Sequence, residues 1–142
     1  MIYLDTSSLL KLLVAEPESP AVQMAVQLES DAVVSPLSEL EILVQLRAMW
    51  LGGELSIQQR NQVLARFQAM REEEPFLFPQ IPGTIFPTAL RQHQAAGRVH
   101  CRGFDRLHLA AMEELAIRRL MTNDGSQAAA AKALGFEVIV PG

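Results

Sequence analysis

Four acidic residues occupy comparable positions along this 142-residue chain, each at the end of an apolar run or in the first turns of a predicted helix. They are Asp5, Glu41, Asp105 and Asp124. In a parallel α/β sheet the strand-to-helix junctions share one edge, so acids far apart in sequence converge there. Carboxylates crowded into one cleft repel each other, and a hard divalent cation such as Mg²⁺ or Mn²⁺ keeps them charged. The pattern therefore predicts a metal site built from carboxylate oxygens.

Such a site suits phosphodiester hydrolysis, in which bound divalent metal ions activate water and stabilise the leaving oxygen. Zinc is disfavoured, because Cys101 stands alone and the three histidines lack ligand-like spacing. Each acid taken singly also has a structural explanation, since carboxylates near helix N-termini cap free N–H groups and complement the helix dipole. For Glu41, the run from Ser38 to Glu41 matches a capping box.

The elements that must position these acids follow from the apolar pattern. Five short apolar runs predict strands, over residues 2–4, 32–34, 76–78, 120–121 and 138–140. Helices are predicted from about residue 6 and over 20–28, 36–51, 56–70, 82–100, 103–115 and 126–134. Strands that alternate with helices indicate a parallel sheet. We therefore predict an α/β fold with one domain over residues 1–142, in which helices flank a short-stranded central parallel sheet on both faces.

The bulk composition narrows the classes of protein. An apolar fraction of 49% and a charged fraction of 20% are ordinary for a soluble globular domain. The net charge of −4 argues against a general polyanion-binding surface, so bound metal ions would have to offset the charge of a nucleic-acid substrate. The single cysteine excludes an intrachain disulfide. The sequence shows no secretory signal and no membrane-spanning run, and it predicts a cytoplasmic protein.

Four segments of the sequence resemble, in order, the motif blocks of the PIN-domain ribonucleases, and most closely the VapC toxins of VapBC toxin–antitoxin systems. The segments are MIYLDTSSLLKL, VVSPLSELEILVQLRA, CRGFDRLHLAA and LMTNDGSQAAAAKALGFEVIVP. The resemblance runs essentially from end to end and includes the order and spacing of the acids. It implies a PIN-like domain whose cluster of acids binds Mg²⁺ or Mn²⁺ and cuts RNA.

The resemblance also assigns roles to individual residues. The four acids match the catalytic and metal-binding acids of the family, while Thr6 and Thr122 match supporting hydroxyl residues beside them. The family further implies an antitoxin that fills a hydrophobic groove between early helices, with the apolar faces of residues 9–14 and 37–51 as candidates. It also implies a homodimer and no contact with membranes. The expected function is that of a metal-dependent endoribonuclease toxin.

Two alternatives come from other classes of protein. The first is a non-catalytic PIN-fold module that binds RNA or an antitoxin, and the presence of all four acids argues against it. The second is a different Asp-based phosphotransfer domain, such as a phosphatase or a receiver. A receiver would carry a pair of acids in its first loop and a Lys after a late strand, and neither is evident. A phosphatase of the haloacid-dehalogenase type would carry a second Asp two residues after the first, where this chain has Ser7.

Two neighbouring residues compete for roles in the predicted site. Glu39 and Glu41 point about 200° apart on a helix, so only one can face the cleft. Family spacing favours Glu41. His108 shares a helical face with Asp105 and could act as a general base, but a packed, hydrogen-bonded histidine is the favoured interpretation.

Arginines recur between residues 91 and 106, running past the third acid. They are compatible with an exposed helix face that balances nearby acids, and equally with contacts to phosphate. Arg102 is the best single candidate for RNA binding, because it lies three residues before Asp105. Lys11 and Arg47 are weaker candidates.

Overall fold

The apolar runs predicted as strands form one parallel sheet in the computed structural model, which describes residues 1–142. The strands are β1 (Ile2–Leu4), β2 (Ala32–Val33), β3 (Phe76–Leu77), β4 (Arg119–Met121) and β5 (Glu137–Ile139). Their order in the sheet is β3-β2-β1-β4-β5, and every neighbouring pair is parallel. The predicted α/β fold with a short-stranded parallel sheet is confirmed.

Seven α-helices connect and cover the strands. They are α1 (Thr6–Leu13), α2 (Ser19–Gln27), α3 (Pro36–Leu51), α4 (Ile57–Ala69), α5 (Ile85–Ala95), α6 (Gly103–Glu114) and α7 (Gly125–Ala133). The helix predicted over residues 82–100 is shorter than expected, because Gly97 takes a positive φ of 60°, a left-handed conformation that follows many helix ends. None of the helices has the length and apolarity that crossing a membrane would require.

The sheet separates two apolar cores because side chains alternate along a strand. Tyr3 of β1 lies in a core formed with residues of α5, α6 and α7, whereas Ile2 and Leu4 lie in a core formed with α1 to α4. All three side chains are fully buried. Helices therefore cover both faces of the sheet, as predicted.

The strand order determines where a site can form. From the central strand β1 the chain moves to β2 on one side, and it later returns to β4 on the other side. Such a reversal opens a crevice at the carboxyl ends of the strands. Asp5 follows β1 directly, Asp124 follows β4, and α3 begins just after β2. Because α6 ends shortly before β4 begins, its N-terminal turn points back toward the same edge of the sheet.

The start of α4 gives a local prediction about stability. Ser56 accepts a hydrogen bond from the Gln59 backbone N–H at 3.1 Å, and the Gln59 side chain accepts one from the Ser56 backbone N–H at 2.8 Å. We expect Ser56→Ala to lower the free energy of unfolding by about 1 kcal/mol, because one helix-terminal N–H loses its partner. Urea unfolding measures the change. Ser30→Ala at an exposed bend is the control, and an equal loss in both variants would contradict the capping role.

Candidate active site

The four predicted acids line one cleft at the carboxyl edge of the sheet. Its volume is about 190 Å³, and Thr6, Lys11 and Arg102 also lie on its wall. The structure therefore brings together most of the residues that the sequence singled out, from four different helices or helix starts. Their catalytic and metal-binding roles stay predictions.

Asp5 is a buried carboxylate that does not cap its helix. It stands at the N-cap position of α1, yet its side chain makes no capping hydrogen bond. Its Oδ2 accepts hydrogen bonds from Thr122 Oγ1 at 2.7 Å and from Ser7 Oγ at 3.2 Å. Burial raises the pKa of Asp5, although the nearby His108 and the Thr122 hydrogen bond oppose that rise. The structural explanation of this acid as a helix cap therefore fails.

Asp124 does cap its helix, so the structural explanation holds for this acid. Its Oδ1 accepts from the backbone N–H groups of Ser126, at 2.9 Å, and Gln127, at 3.3 Å. These contacts use only one carboxylate oxygen. Asp124 nevertheless lines the cleft, so capping and a role in the cleft are compatible.

Glu41 is held in place by two side chains from other elements. Its Oε1 accepts hydrogen bonds from Thr6 Oγ1 at 2.6 Å and lies 2.6 Å from His108 Nε2. Burial alone would raise the pKa of Glu41, but the hydrogen bonds from His108 and Thr6 hold it below its usual value. The carboxylate is therefore favoured in its charged form.

The start of α3 explains which glutamate faces the cleft. Ser35 is the N-cap and accepts from the Ser38 backbone N–H at 3.3 Å, so the capping box predicted for Ser38 and Glu41 is wrong. Glu39 forms an ion pair with Arg71 outside the cleft. The structure thus places Glu41, and not Glu39, at the predicted site.

His108 links Glu41 to the interior of the protein. It is fully buried, its Nδ1 lies 2.6 Å from Tyr3 Oη, and that hydroxyl lies 2.7 Å from Ser35 Oγ. A carboxylate only accepts hydrogen bonds, so Nε2 of His108 donates to Glu41. The favoured interpretation of a packed, hydrogen-bonded histidine agrees with this geometry. The contact with Glu41 was not foreseen from the sequence.

Asp105 lies in the first turn of α6 and is 5% exposed. Its Oδ2 accepts from Arg102 Nε at 3.2 Å, and its backbone carbonyl accepts from Gln127 Nε2 at 3.0 Å. The second contact ties α6 to α7. The Arg102 side chain is 76% exposed, so its guanidinium stays accessible beside the acid.

The three candidate RNA-binding residues do not all lie together. Lys11 lines the cleft, where its Nζ also pairs with Glu16 at 2.7 Å. Arg102 lines the cleft as well. Arg47 lies outside it, in a separate depression on α3 beside Leu43 and Val44. The contribution of Arg47 therefore stays a prediction that the cleft geometry does not support.

Two further polar residues of the cleft were missed as site residues in the sequence. Ser7 accepts from the Asn123 backbone N–H at 2.9 Å and donates to Asp5, and these contacts join the start of α1 to the loop after β4. Gln45 lines the cleft one helical turn after Glu41. The spacing from Glu41 was the available signal for Gln45, whereas Ser7 looked like an ordinary helix-start residue.

The chemistry of the cleft suits a hard cation. Its four acids offer carboxylate oxygens, the donors that Mg²⁺ and Mn²⁺ prefer. No three His, Cys, Asp or Glu side chains of the structure are arranged as a ready-made metal site. Glu41 and Asp105 instead turn toward His108 and Arg102.

Comparisons with known proteins agree with this arrangement. The profile of the PIN domain family matches residues 2–133. Ribonuclease VapC46 of Mycobacterium tuberculosis is 32% identical over 142 residues, with 99% of this chain and 97% of the relative covered. The crystal structure of Mycobacterium tuberculosis VapC20, described as a sarcin-ricin loop cleaving toxin, superposes with a TM-score of 0.65 at 15% identity and covers 96% of each chain. FitAcB from Neisseria gonorrhoeae gives a TM-score of 0.68 at 17% identity, with 98% and 96% covered. These two structural likenesses show a shared fold.

Proposed function

Because the chain belongs to the PIN-domain family, we propose that it is a metal-dependent endoribonuclease and the toxin of a type II toxin–antitoxin system. The observation that carries this proposal is the convergence of Asp5, Glu41, Asp105 and Asp124 on one cleft. The relative at 32% identity is a ribonuclease, and it is matched over almost the whole chain. The proposed reaction is hydrolysis of an RNA phosphodiester bond.

The four acids would hold Mg²⁺ or Mn²⁺, and a bound ion of this kind activates water and stabilises charge on the leaving oxygen. Other residues of the chain orient the acids. Thr122 fixes Asp5 through its 2.7 Å hydrogen bond, and Thr6 fixes Glu41 at 2.6 Å. Thr6 and Thr122 therefore act as supporting residues. Loss of such a supporting hydrogen bond commonly lowers metal affinity or activity 10- to 100-fold.

Arg102 is the proposed contact for the RNA backbone beside the acids. Its guanidinium is exposed, lines the cleft and already lies against Asp105, so a phosphate at the cleft would lie within its reach. Lys11 offers a second positive charge on the same wall. These cations offset part of the repulsion between the acids and the phosphate backbone.

The proposed antitoxin would bind the exposed apolar face of α3. Leu40, Leu43 and Val44 are 53%, 48% and 59% exposed, which is unusual for three large apolar residues on one stretch of helix. In the other candidate segment, residues 9–14, Leu9 is fully buried and the remaining residues are half-buried. We further propose a homodimer, as in the family, and a cytoplasmic site of action because the proposed substrate is RNA.

Incubation of purified, antitoxin-free protein with total RNA tests the function. We expect discrete fragments with Mn²⁺ or Mg²⁺ and none with EDTA, because without a cation nothing would activate water or stabilise the leaving oxygen. The Asp105→Asn variant, prepared in the same way, controls for contaminating nucleases. Absence of cleavage by the folded protein on any RNA would overturn the nuclease proposal in favour of a non-catalytic module that binds RNA or antitoxin.

A further inference from the structure

A second cavity lies beside the cleft, between α5 and the first turns of α6. Its volume is about 520 Å³, which is within the range of small-molecule binding sites. Arg102 lines both the cleft and this cavity. The cavity wall contains a second arginine, Arg106, and two histidines, but no carboxylate. The cavity therefore adjoins the cleft at Arg102 and differs from it in having no carboxylate on its wall.

Arg106 is the unusual member of this wall. Arg106 is only 5% exposed, and its Nε and Nη1 atoms are buried without any hydrogen-bond partner. The sequence allowed an exposed helix face for this run of arginines, and for Arg106 that interpretation is wrong. Arg91 and Arg102 each pair with a carboxylate, so the lack of a partner is not general among them. Two unsatisfied nitrogens in a buried guanidinium are unfavourable, and the Cys101 thiol beside Arg106 is only a weak acceptor, so the site favours an anion.

Part of the cavity wall is apolar. Phe86 and Leu90 of α5 line it and are 58% and 64% exposed, and Leu107 of α6 lines it as well. Exposed aromatic and aliphatic side chains next to cations are the combination that holds a nucleotide, with the base against the apolar side and the phosphate on the arginine.

We propose that this cavity binds one nucleotide of the RNA adjacent to the scissile bond, with its phosphate on Arg106 and its base against Phe86 and Leu90. This inference rests on the proposed function and identifies where the substrate strand leaves the cleft. Arg102 lies between the two sites and would contact the backbone in both. The cavity would thereby extend the substrate contact beyond the four acids.

Binding of a fluorescently labelled single-stranded RNA oligonucleotide, measured by anisotropy in EDTA, tests the proposal without requiring cleavage. We expect Arg106→Met to raise the Kd by about 10-fold or more, because a charge-assisted contact to phosphate is lost. The slope of log affinity against log salt should fall by about one. Arg98→Met, an exposed arginine of the α5–α6 connection outside the cavity, removes the same charge and should leave the Kd within about threefold.

Folding of the variant is checked separately by thermal unfolding. Arg106→Met replaces a buried guanidinium with two unsatisfied nitrogens by an apolar chain of similar length, so it should be at least as stable as the parent protein. Should it fail to fold, Arg106→Lys provides the second variant. Lys keeps the positive charge but lacks the planar guanidinium that can bind two phosphate oxygens at once. We therefore expect its Kd for RNA to lie above that of the parent protein and below that of a variant without the charge.

The outcomes separate this inference from the proposed function. If the parent protein cleaves RNA with Mn²⁺ and Arg106→Met binds RNA with unchanged Kd, the cavity proposal is overturned and the nuclease stands. A change in oligomeric state with unchanged RNA binding would likewise overturn it and indicate a second copy of the chain over the cavity. If the parent neither binds nor cleaves RNA, both proposals fail. Weaker RNA binding in Arg106→Met alone supports the nucleotide site even when the parent shows no cleavage.

Discussion

Asp5→Asn should reduce RNA cleavage by at least about 100-fold while it makes the metal-free protein more stable at neutral pH. The loss of activity follows from removing a carboxylate whose bound ion would supply several kcal/mol to the transition state. The fold should persist, because the Asn carbonyl can accept the hydrogen bond that Thr122 now donates to Asp5 Oδ2 at 2.7 Å.

The gain in stability follows from the sign of the pKa shift. Burial raises the pKa of Asp5, so the folded protein holds this proton more tightly than the unfolded chain does. Ionisation of Asp5 therefore costs stability as the pH rises through its raised pKa. A neutral Asn avoids that cost, and its advantage should shrink as the pH falls below the raised pKa, where Asp5 itself is protonated.

Thermal unfolding in EDTA across the acidic and neutral range, together with a cleavage assay in Mn²⁺, measures both effects. Asp31→Asn is the matched control, because it makes the same chemical change outside the cleft. Cleavage that survives in Asp5→Asn, with contaminating nucleases excluded, would remove Asp5 from the proposed machinery. A lower Tm than the parent at neutral pH would contradict the expected relief of a buried charge.

A second large effect is expected for His108→Ala, which should lower the free energy of unfolding by about 3–4 kcal/mol. The fully buried ring contacts Tyr3 Oη and Glu41 Oε1, each at 2.6 Å. Its removal leaves a buried hydroxyl and a half-buried carboxylate with fewer partners and opens a cavity between α3, α6 and β1. Because Glu41 loses the group that orients it, cleavage should also fall about 10-fold or more.

Chemical denaturation measures the stability, and a cleavage assay below the unfolding transition measures the activity. His93→Ala at an exposed position is the control and should change stability little. Tyr3→Phe removes only the hydroxyl, so it should cost about 1 kcal/mol and leave the contact between His108 and Glu41 intact. If Tyr3→Phe reduced cleavage as much as His108→Ala, the assigned role of His108 in orienting Glu41 would be wrong.

Residue type and order alone were enough to predict which acids line the candidate cleft. The apolar run at residues 2–4 followed by Asp5, and the one at 120–121 followed by Asp124, predicted two acids at strand ends. Parallel strands put their ends on one edge, so convergence followed without any knowledge of packing. Family spacing also favoured Glu41 over Glu39, and the structure places Glu41 in the cleft.

Contacts between distant segments could not be predicted in the same way. His108 meets Tyr3 across 105 residues of chain and Glu41 across 67. Ser35 rather than Ser38 caps α3, and Arg106 is buried where an exposed face was allowed. Each of these outcomes depends on how whole helices rotate and pack against the sheet.

The sequence by itself determined the alternation of strands and helices, the parallel sheet and the set of acids at its carboxyl edge. These properties depend on the local period of apolar residues and on short-range start and stop signals, which act within a few residues. Only the tertiary structure decided which side chains hold each acid, which arginine of the run is buried and which cavity adjoins the cleft. Those outcomes depend on distances between side chains far apart in the chain, and packing alone sets these distances.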